Sequence, residues 1–171
     1  ARVAGIGFTH MHTDHTQGLV PLCAARGDTP LPVFHTPLQM NERNYTTRPG
    51  HANVDAAPCA ERRTLASGPL VPLPGFPGVG VVSAAGHTPG SQVFVASVGE
   101  AQRELWFFTG DVVNHAAAIE KDLPKPHAYS LLIVPENTDR LGRVRRWLRD
   151  AVAALDAGYG TEQDLERCEE R

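Results

Sequence analysis

Hydrophobic residues fall in short strand-sized runs along most of the chain and form a helical stripe near its end. Val3, Ile6 and Phe8 mark a loosely alternating strand over Arg2–Phe8. Gly18 to Ala25 reads as a short helix stopped by Arg26-Gly27-Asp28. Leu31–His35 is a brief strand, and Pro37 suits the first position of another helix. Val-rich runs at Val79–Ala84 and Ser91–Val98, with Glu104–Phe108, predict three strands. Residues 99–103 serve as the hairpin between the last two, and Leu131–Val134 is a fourth apolar run of strand length. From Asn137 the period becomes helical. Leu141, Val144, Leu148, Val152 and Leu155 share one stripe, while Arg140, Arg143, Arg146 and Arg149 form a solvated outer face. Asn137 or Thr138 is the expected cap and Gly158 the expected stop.

Between these patterned regions, residues 48–80 are rich in proline and glycine. That density predicts a surface excursion with tight turns and no long regular element. The 171 residues otherwise suit a single domain over 1–171, ending in a charged tail over 159–171.

Composition changes little in this picture. Hydrophobic residues make up 42% and charged residues 20%, as in ordinary globular proteins. A net charge of -3 argues against nucleic acid as a partner, and no apolar run is long enough to span a bilayer. The expected partner is therefore a small-molecule substrate, with no nucleic acid and no membrane. The chain opens Ala1-Arg2-Val3 without an initiator methionine or a signal-peptide pattern. Ala1 is thus expected to be a cut point, and the expected location is cytoplasmic. Cys23, Cys59 and Cys168 are odd in number, far apart and without a CxxC pair. They are expected to be buried or incidental thiols, with neither a disulfide framework nor a zinc-thiolate knuckle.

The histidines carry the chemistry. His10-x-His12-x-Asp14-His15 places four metal-capable side chains within six residues. Residues 10 and 12 of an extended segment point the same way, so they can grip one cation together. Asp14 and His15 follow where the backbone turns and can face a second cation. Zinc suits this mixture of imidazole and carboxylate; iron and manganese remain open. Gly86-His87-Thr88-Pro89-Gly90-Ser91 is the second piece. Pro89-Gly90 suits a type II turn with Gly90 at positive φ, holding His87 at a strand end. Thr109-Gly110-Asp111 is the third, where a carboxylate leaves a strand end and can bridge two cations.

These three segments, in this order and separation, resemble the metallo-β-lactamase superfamily. The resemblance implies an α/β fold, the αββα sandwich, and covers most of the chain from about Val3 to Leu155. It implies that His10, His12 and His87 hold a first metal, that Asp14 and His15 hold a second, and that Asp111 bridges them. It also implies two zinc ions sharing a hydroxide, which attacks an ester, lactone, thioester or amide, with Asp14 orienting the nucleophile and passing a proton. The alternatives are a phosphodiesterase or nuclease, a mononuclear iron thiol dioxygenase, and a non-catalytic metal-binding fragment. Two departures stand out. Family members carry several strands and a helix before the HxHxDH segment, where only the short run Arg2–Phe8 stands here, and a further ligand histidine after the last helix, which the tail from Gly158 does not supply. Lactonases of the family place a tyrosine three residues after the bridging aspartate, where Asn114 stands here. Asn114 and His115 are the candidate substrate contacts, a helix cap being the competing role. His35 and His51 are expected to be surface or structural.

Overall fold

The computed structural model describes residues 3–27, 29–41, 43–99 and 104–156. In chain order these form β1 (Ile6–Gly7), α1 (Thr13–Thr16), α2 (Leu19–Arg26), β2 (Leu31–His35), α3 (Pro37–Asn41) and α4 (Arg48–Asp55). Then come β3 (Ala60–Thr64), β4 (Leu70–Pro72), β5 (Val79–Ser83), β6 (Gln92–Val98) and β7 (Glu104–Phe108). A 3-10 turn (Gly110–Val112), α5 (Ala116–Glu120), a π-helical turn (Tyr129–Ile133) and α6 (Thr138–Asp156) complete the described chain.

The strands form two sheets. β1, β2 and β3 are parallel; β4, β5, β6 and β7 are antiparallel neighbours in sequence order. Side-chain alternation then sorts the core into layers. On β2, Leu31 and Val33 pack with Leu19, Cys23 and Val54 of the helices, while Phe34 turns to the other face. There it meets Val81 and Phe94 of the second sheet. On β5 and β6, Val82, Val93 and Val95 face the opposite way, against Leu141 and Leu148 of α6. Helices, sheet, sheet and helix thus stack as the αββα order expected from the resemblance.

Several elements differ from the pattern-based expectation. Only Ile6–Gly7 of the first run pairs as a strand. The region 48–80 is no loop excursion, since it contains α4, β3 and β4. Pro49 sits in the first turn of α4, where its missing N–H costs nothing. Val54, Ala57, Cys59, Leu65 and Val71 supply the buried anchors of this region. Leu131–Val134 is not a strand: Tyr129–Ile133 forms a π-helical turn with Leu132 and Ile133 exposed. An apolar run of four cannot by itself report a partner strand, and none pairs with it among the described residues. On α6, Asn137 Oδ1 accepts from the Arg140 N–H, as a cap should. Val152 leaves the predicted stripe and is exposed, whereas Ala151 is buried. Arg145 is also buried and pairs with Asp122 at 3.0 Å. Gly158 and the charged tail lie outside the described residues.

The cysteine expectation is overturned: Cys23 and Cys59 form a disulfide, joining α2 to the segment before β3. Spacing along the chain carries no information about two residues that the core brings together.

His35 and His51 are fully buried, so the surface half of their expectation fails. Neither ring nitrogen of either residue has a hydrogen-bond partner among the described residues. Burial, and then the neighbouring cations Arg43 and Arg62, lower the His51 pKa to about 4, with Asp55 opposing them. Between the ordinary value of 6.5 and about 4, the unfolded chain takes up a proton that the folded chain refuses. Stability is therefore expected to fall as pH drops through that window, by about 1.4 kcal/mol per pH unit from this residue. Urea titrations at pH 7 and 4.5 check this. In His51→Leu the pH-dependent loss should shrink, and an unchanged loss rejects the assignment.

Candidate metal centre

The HxHxDH segment leaves β1 through a bend at Thr9 and His10 and turns into α1. Met11 enters the helix-facing core, while His10 and His12 lie against one another away from it. Their rings stand edge to face, with centroids 4.5 Å apart. His12 is the N-cap of α1, and the helical turn carries Asp14 and His15 round toward the same region. Two buried glutamines fix the stretch: the side-chain amides of Gln39 and Gln92 each donate to the Phe8 carbonyl at 2.8 Å. The backbone N–H of Gln92 donates to the Thr9 carbonyl at 2.8 Å. Neither glutamine belongs to a recognisable motif. Only the convergence of α3 and β6 on Phe8 shows what they do.

His87 arrives from the loop between β5 and β6. The Ser91 N–H donates to the Thr88 carbonyl, so Pro89 and Gly90 are indeed the centre of a turn. Gly90, however, is not at positive φ, which removes the type II assignment. Its lack of a side chain serves packing instead, because a Cβ there would lie 2.3 Å from the Gln39 Cα. Asp111 arrives on the 3-10 turn that follows β7. Gly110 beside it does need positive φ, at 52°, and a Cβ there would meet the Thr9 hydroxyl at 2.3 Å. That close approach is what sets Asp111 against the histidines.

The donor atoms converge in two groups. His10, His12, His87 and Asp111 each offer an atom within 4.8 Å of the others, and so do Asp14, His15 and Asp111. Asp111 belongs to both. Its Oδ2 lies 3.7 Å from His10 Nε2 and 3.6 Å from His87 Nε2, while its Oδ1 lies 3.6 Å from His15 Nε2. The first group is mostly buried; the second is more open, with Asp14 on the surface. Burial, then the charges of His87, His15 and His12, lower the His10 pKa to about 2. Burial followed by His87 also lowers that of His12. Both imidazoles are therefore neutral at pH 7, each with a lone pair to offer.

A buried nitrogen without a partner is costly. His12 Nε2 and His87 Nε2 are two such atoms, and both belong to the first group. A cation bound there would satisfy both, so the donor set fits a metal of the zinc type.

Three residues that no motif pointed to support His87. The Glu136 side chain is fully buried; its Oε1 lies 2.6 Å from His87 Nδ1 and 2.5 Å from Lys125 Nζ. Ser130 Oγ donates to its other oxygen at 2.7 Å. Burial alone would raise the Glu136 pKa, but the hydrogen bonds from His87, Lys125 and Ser130 outweigh it and lower it to about 2. Lys125 Nζ also donates to the Asp111 carbonyl at 2.5 Å. Asn114 and His115 are not drawn into either donor group. Both are exposed, and the His115 side chain, although at the N-cap of α5, makes no capping hydrogen bond. Beside His15 and Thr9 opens a cavity of about 500 Å³, walled mainly by Phe8, Phe76, Phe94 and Phe108.

By sequence, neither a family profile nor a curated relative matches the chain. Solved structures do. An N-acyl homoserine lactone hydrolase, with N-hexanoyl-L-homoserine bound at its catalytic metal centre, superposes at a TM-score of 0.60 and 15% identity. The match covers 90% of this chain and 52% of that one. A B. thuringiensis AiiA variant with N-decanoyl-L-homoserine at its active site gives the same TM-score, identity and coverage. A quorum-quenching N-acyl homoserine lactone lactonase gives 0.59 and 15%, covering 90% of this chain and 55% of that one. The chain spans about half the length of the solved structures it matches. With its two sheets between helices and its HxHxDH segment meeting His87 and Asp111, the chain has the metallo-β-lactamase fold.

Proposed function

We propose that this chain carries the metal centre of a hydrolase that acts on a small ester, lactone, thioester or amide. One observation carries the reading: the two carboxylate oxygens of Asp111 face two different groups of metal-capable donors. In this reading His10, His12 and His87 hold one zinc ion, Asp14 and His15 a second, and Asp111 both. The lactone hydrolases of like fold lend support, since the first of them binds its product at a catalytic metal centre.

Bound zinc supplies Lewis acidity and lowers the pKa of a water from ~15.7 to about 7. The chain's own residues do the rest. Neutral His10 and His12 give up no proton on binding a cation, so little is lost to charge reorganisation at pH 7. In this reading Asp14, on the open side of the site, accepts a proton and delivers it to a leaving group. The phenylalanine-walled cavity next to His15 suits an apolar portion of a substrate. Asn114 and His115, both exposed, remain proposed substrate contacts.

Elemental analysis combined with turnover tests the reading. About two zinc ions per chain, with hydrolysis of a lactone or p-nitrophenyl ester that disappears on chelation, is the expected result. One iron per chain with oxygen uptake by a persulfide would move the assignment to a dioxygenase. A folded chain that takes up no metal rejects the metal reading.

A further inference from the structure

We propose that Glu136 is a positioning residue: it fixes which nitrogen of His87 carries the proton and so aims the other at the metal position. The inference rests on the metal reading above and concerns a residue that lies outside every motif of the chain.

Hydrogen-bond bookkeeping leads to it. Glu136 Oε1 receives the Lys125 ammonium at 2.5 Å, and its Oε2 receives the Ser130 hydroxyl at 2.7 Å. A carboxyl group with two such donors on it is a carboxylate, which can only accept. His87 Nδ1, 2.6 Å away, must therefore be the N–H donor of that pair. The Lys125 ammonium also lies 3.4 Å from the same Nδ1. Two donors cannot bond each other, so that approach is only proximity, and the shorter contact to the carboxylate decides the proton's place. A neutral imidazole protonated at Nδ1 has its lone pair on Nε2. That is the buried, unpartnered atom 3.6 Å from Asp111 Oδ2.

Lys125 widens the effect. By donating to the Asp111 carbonyl as well, it ties the 3-10 turn of Asp111 to the carboxylate that holds His87. The loop of His87 is fastened to the same segment from behind, since the Asn137 N–H donates to the Gly86 carbonyl at 2.8 Å. Two donors that share one cation are thus set by a single buried carboxylate. A partner of this kind typically changes metal affinity by about 10- to 100-fold.

The test uses variants that keep the interior balanced. Removing Glu136 alone would strand the buried Lys125 ammonium, so both are changed together. In Lys125→Met/Glu136→Leu the apolar pair fills similar space but offers His87 no acceptor. In Lys125→Met/Glu136→Gln the amide oxygen can still accept from Nδ1. Two-bond proton–nitrogen NMR spectra of the metal-free chain report the tautomer directly, and zinc competition against a chromophoric chelator reports affinity. The leucine double variant is expected to lose the pure Nδ1–H form and to bind zinc about 10- to 100-fold more weakly. The glutamine double variant is expected to recover most of both, which a merely structural role would not produce. If wild type binds zinc while both folded variants keep its tautomer and affinity, the role of Glu136 is rejected. If wild type shows the Nδ1–H form but takes up no zinc, the failure belongs to the metal reading.

Discussion

Asp111→Asn is expected to lower bound zinc from about two ions per chain to one or fewer, and to cut hydrolysis by about a thousandfold or more. The reason is geometric. Oδ2 faces His10 and His87, Oδ1 faces His15, and no other residue belongs to both donor groups among the described residues. An asparagine keeps the shape but replaces one anionic oxygen with an amide nitrogen, which cannot bind a cation. Without Asp111 the open group keeps only Asp14 and His15, too few donors to hold zinc in competition with water. A loss of several kcal/mol of charge stabilisation then corresponds to the thousandfold loss of rate. Elemental analysis and turnover on the same preparation check both parts. Full two-zinc occupancy in the variant would show that Asp111 does not bridge.

The second large effect is on stability. Reducing the Cys23–Cys59 disulfide is expected to cost about 3–4 kcal/mol, because it closes a loop with a sequence separation of 36. For a chain of this size that corresponds to a fall of about 8–15 °C in Tm. Both sulfurs lie in the core between the first sheet and its helices, beside Leu31, Val33 and Val54, so the loss would loosen the scaffold beneath the HxHxDH segment. Thermal melts with and without dithiothreitol, alongside Cys23→Ala/Cys59→Ala, measure it. Coincident melting curves for the oxidised and reduced chain would refute it. Disulfides are rare in reducing compartments, so the Cys23–Cys59 pair lends no support to the cytoplasmic expectation. No described helix is long and apolar enough to cross a membrane.

The same disulfide shows where reading the chain reached its limit. Strands such as Leu31–His35 and Glu104–Phe108 were legible because a buried or half-buried strand writes its neighbours into its own composition. The helix from Thr138 was legible because its period changes from two to 3.6. Region 48–80 was not. β3, of sequence Ala-Glu-Arg-Arg-Thr, shows no apolar alternation, since its hydrogen bonds to β2 and not its side chains place it in the sheet. The π-helical turn at Tyr129–Ile133 failed for the converse reason: an apolar run with no strand paired to it among the described residues.

At the site, the divide runs between the residues that offer donors to a cation and the residues that orient those donors. His10, His12, Asp14, His15, His87 and Asp111 were all visible in the chain, because metal chemistry demands particular residue types and a turn to present them. The sequence by itself therefore pointed to the metal-capable donors and to the three segments that meet. Only the tertiary structure decided that Gln39 and Gln92 hold Phe8, that Glu136, Lys125 and Ser130 hold His87, and that Cys23 meets Cys59. Supporting residues of this kind need only one hydrogen-bonding group at the right point in space. Many residue types and many chain positions can provide one, so the requirement leaves no pattern along the sequence.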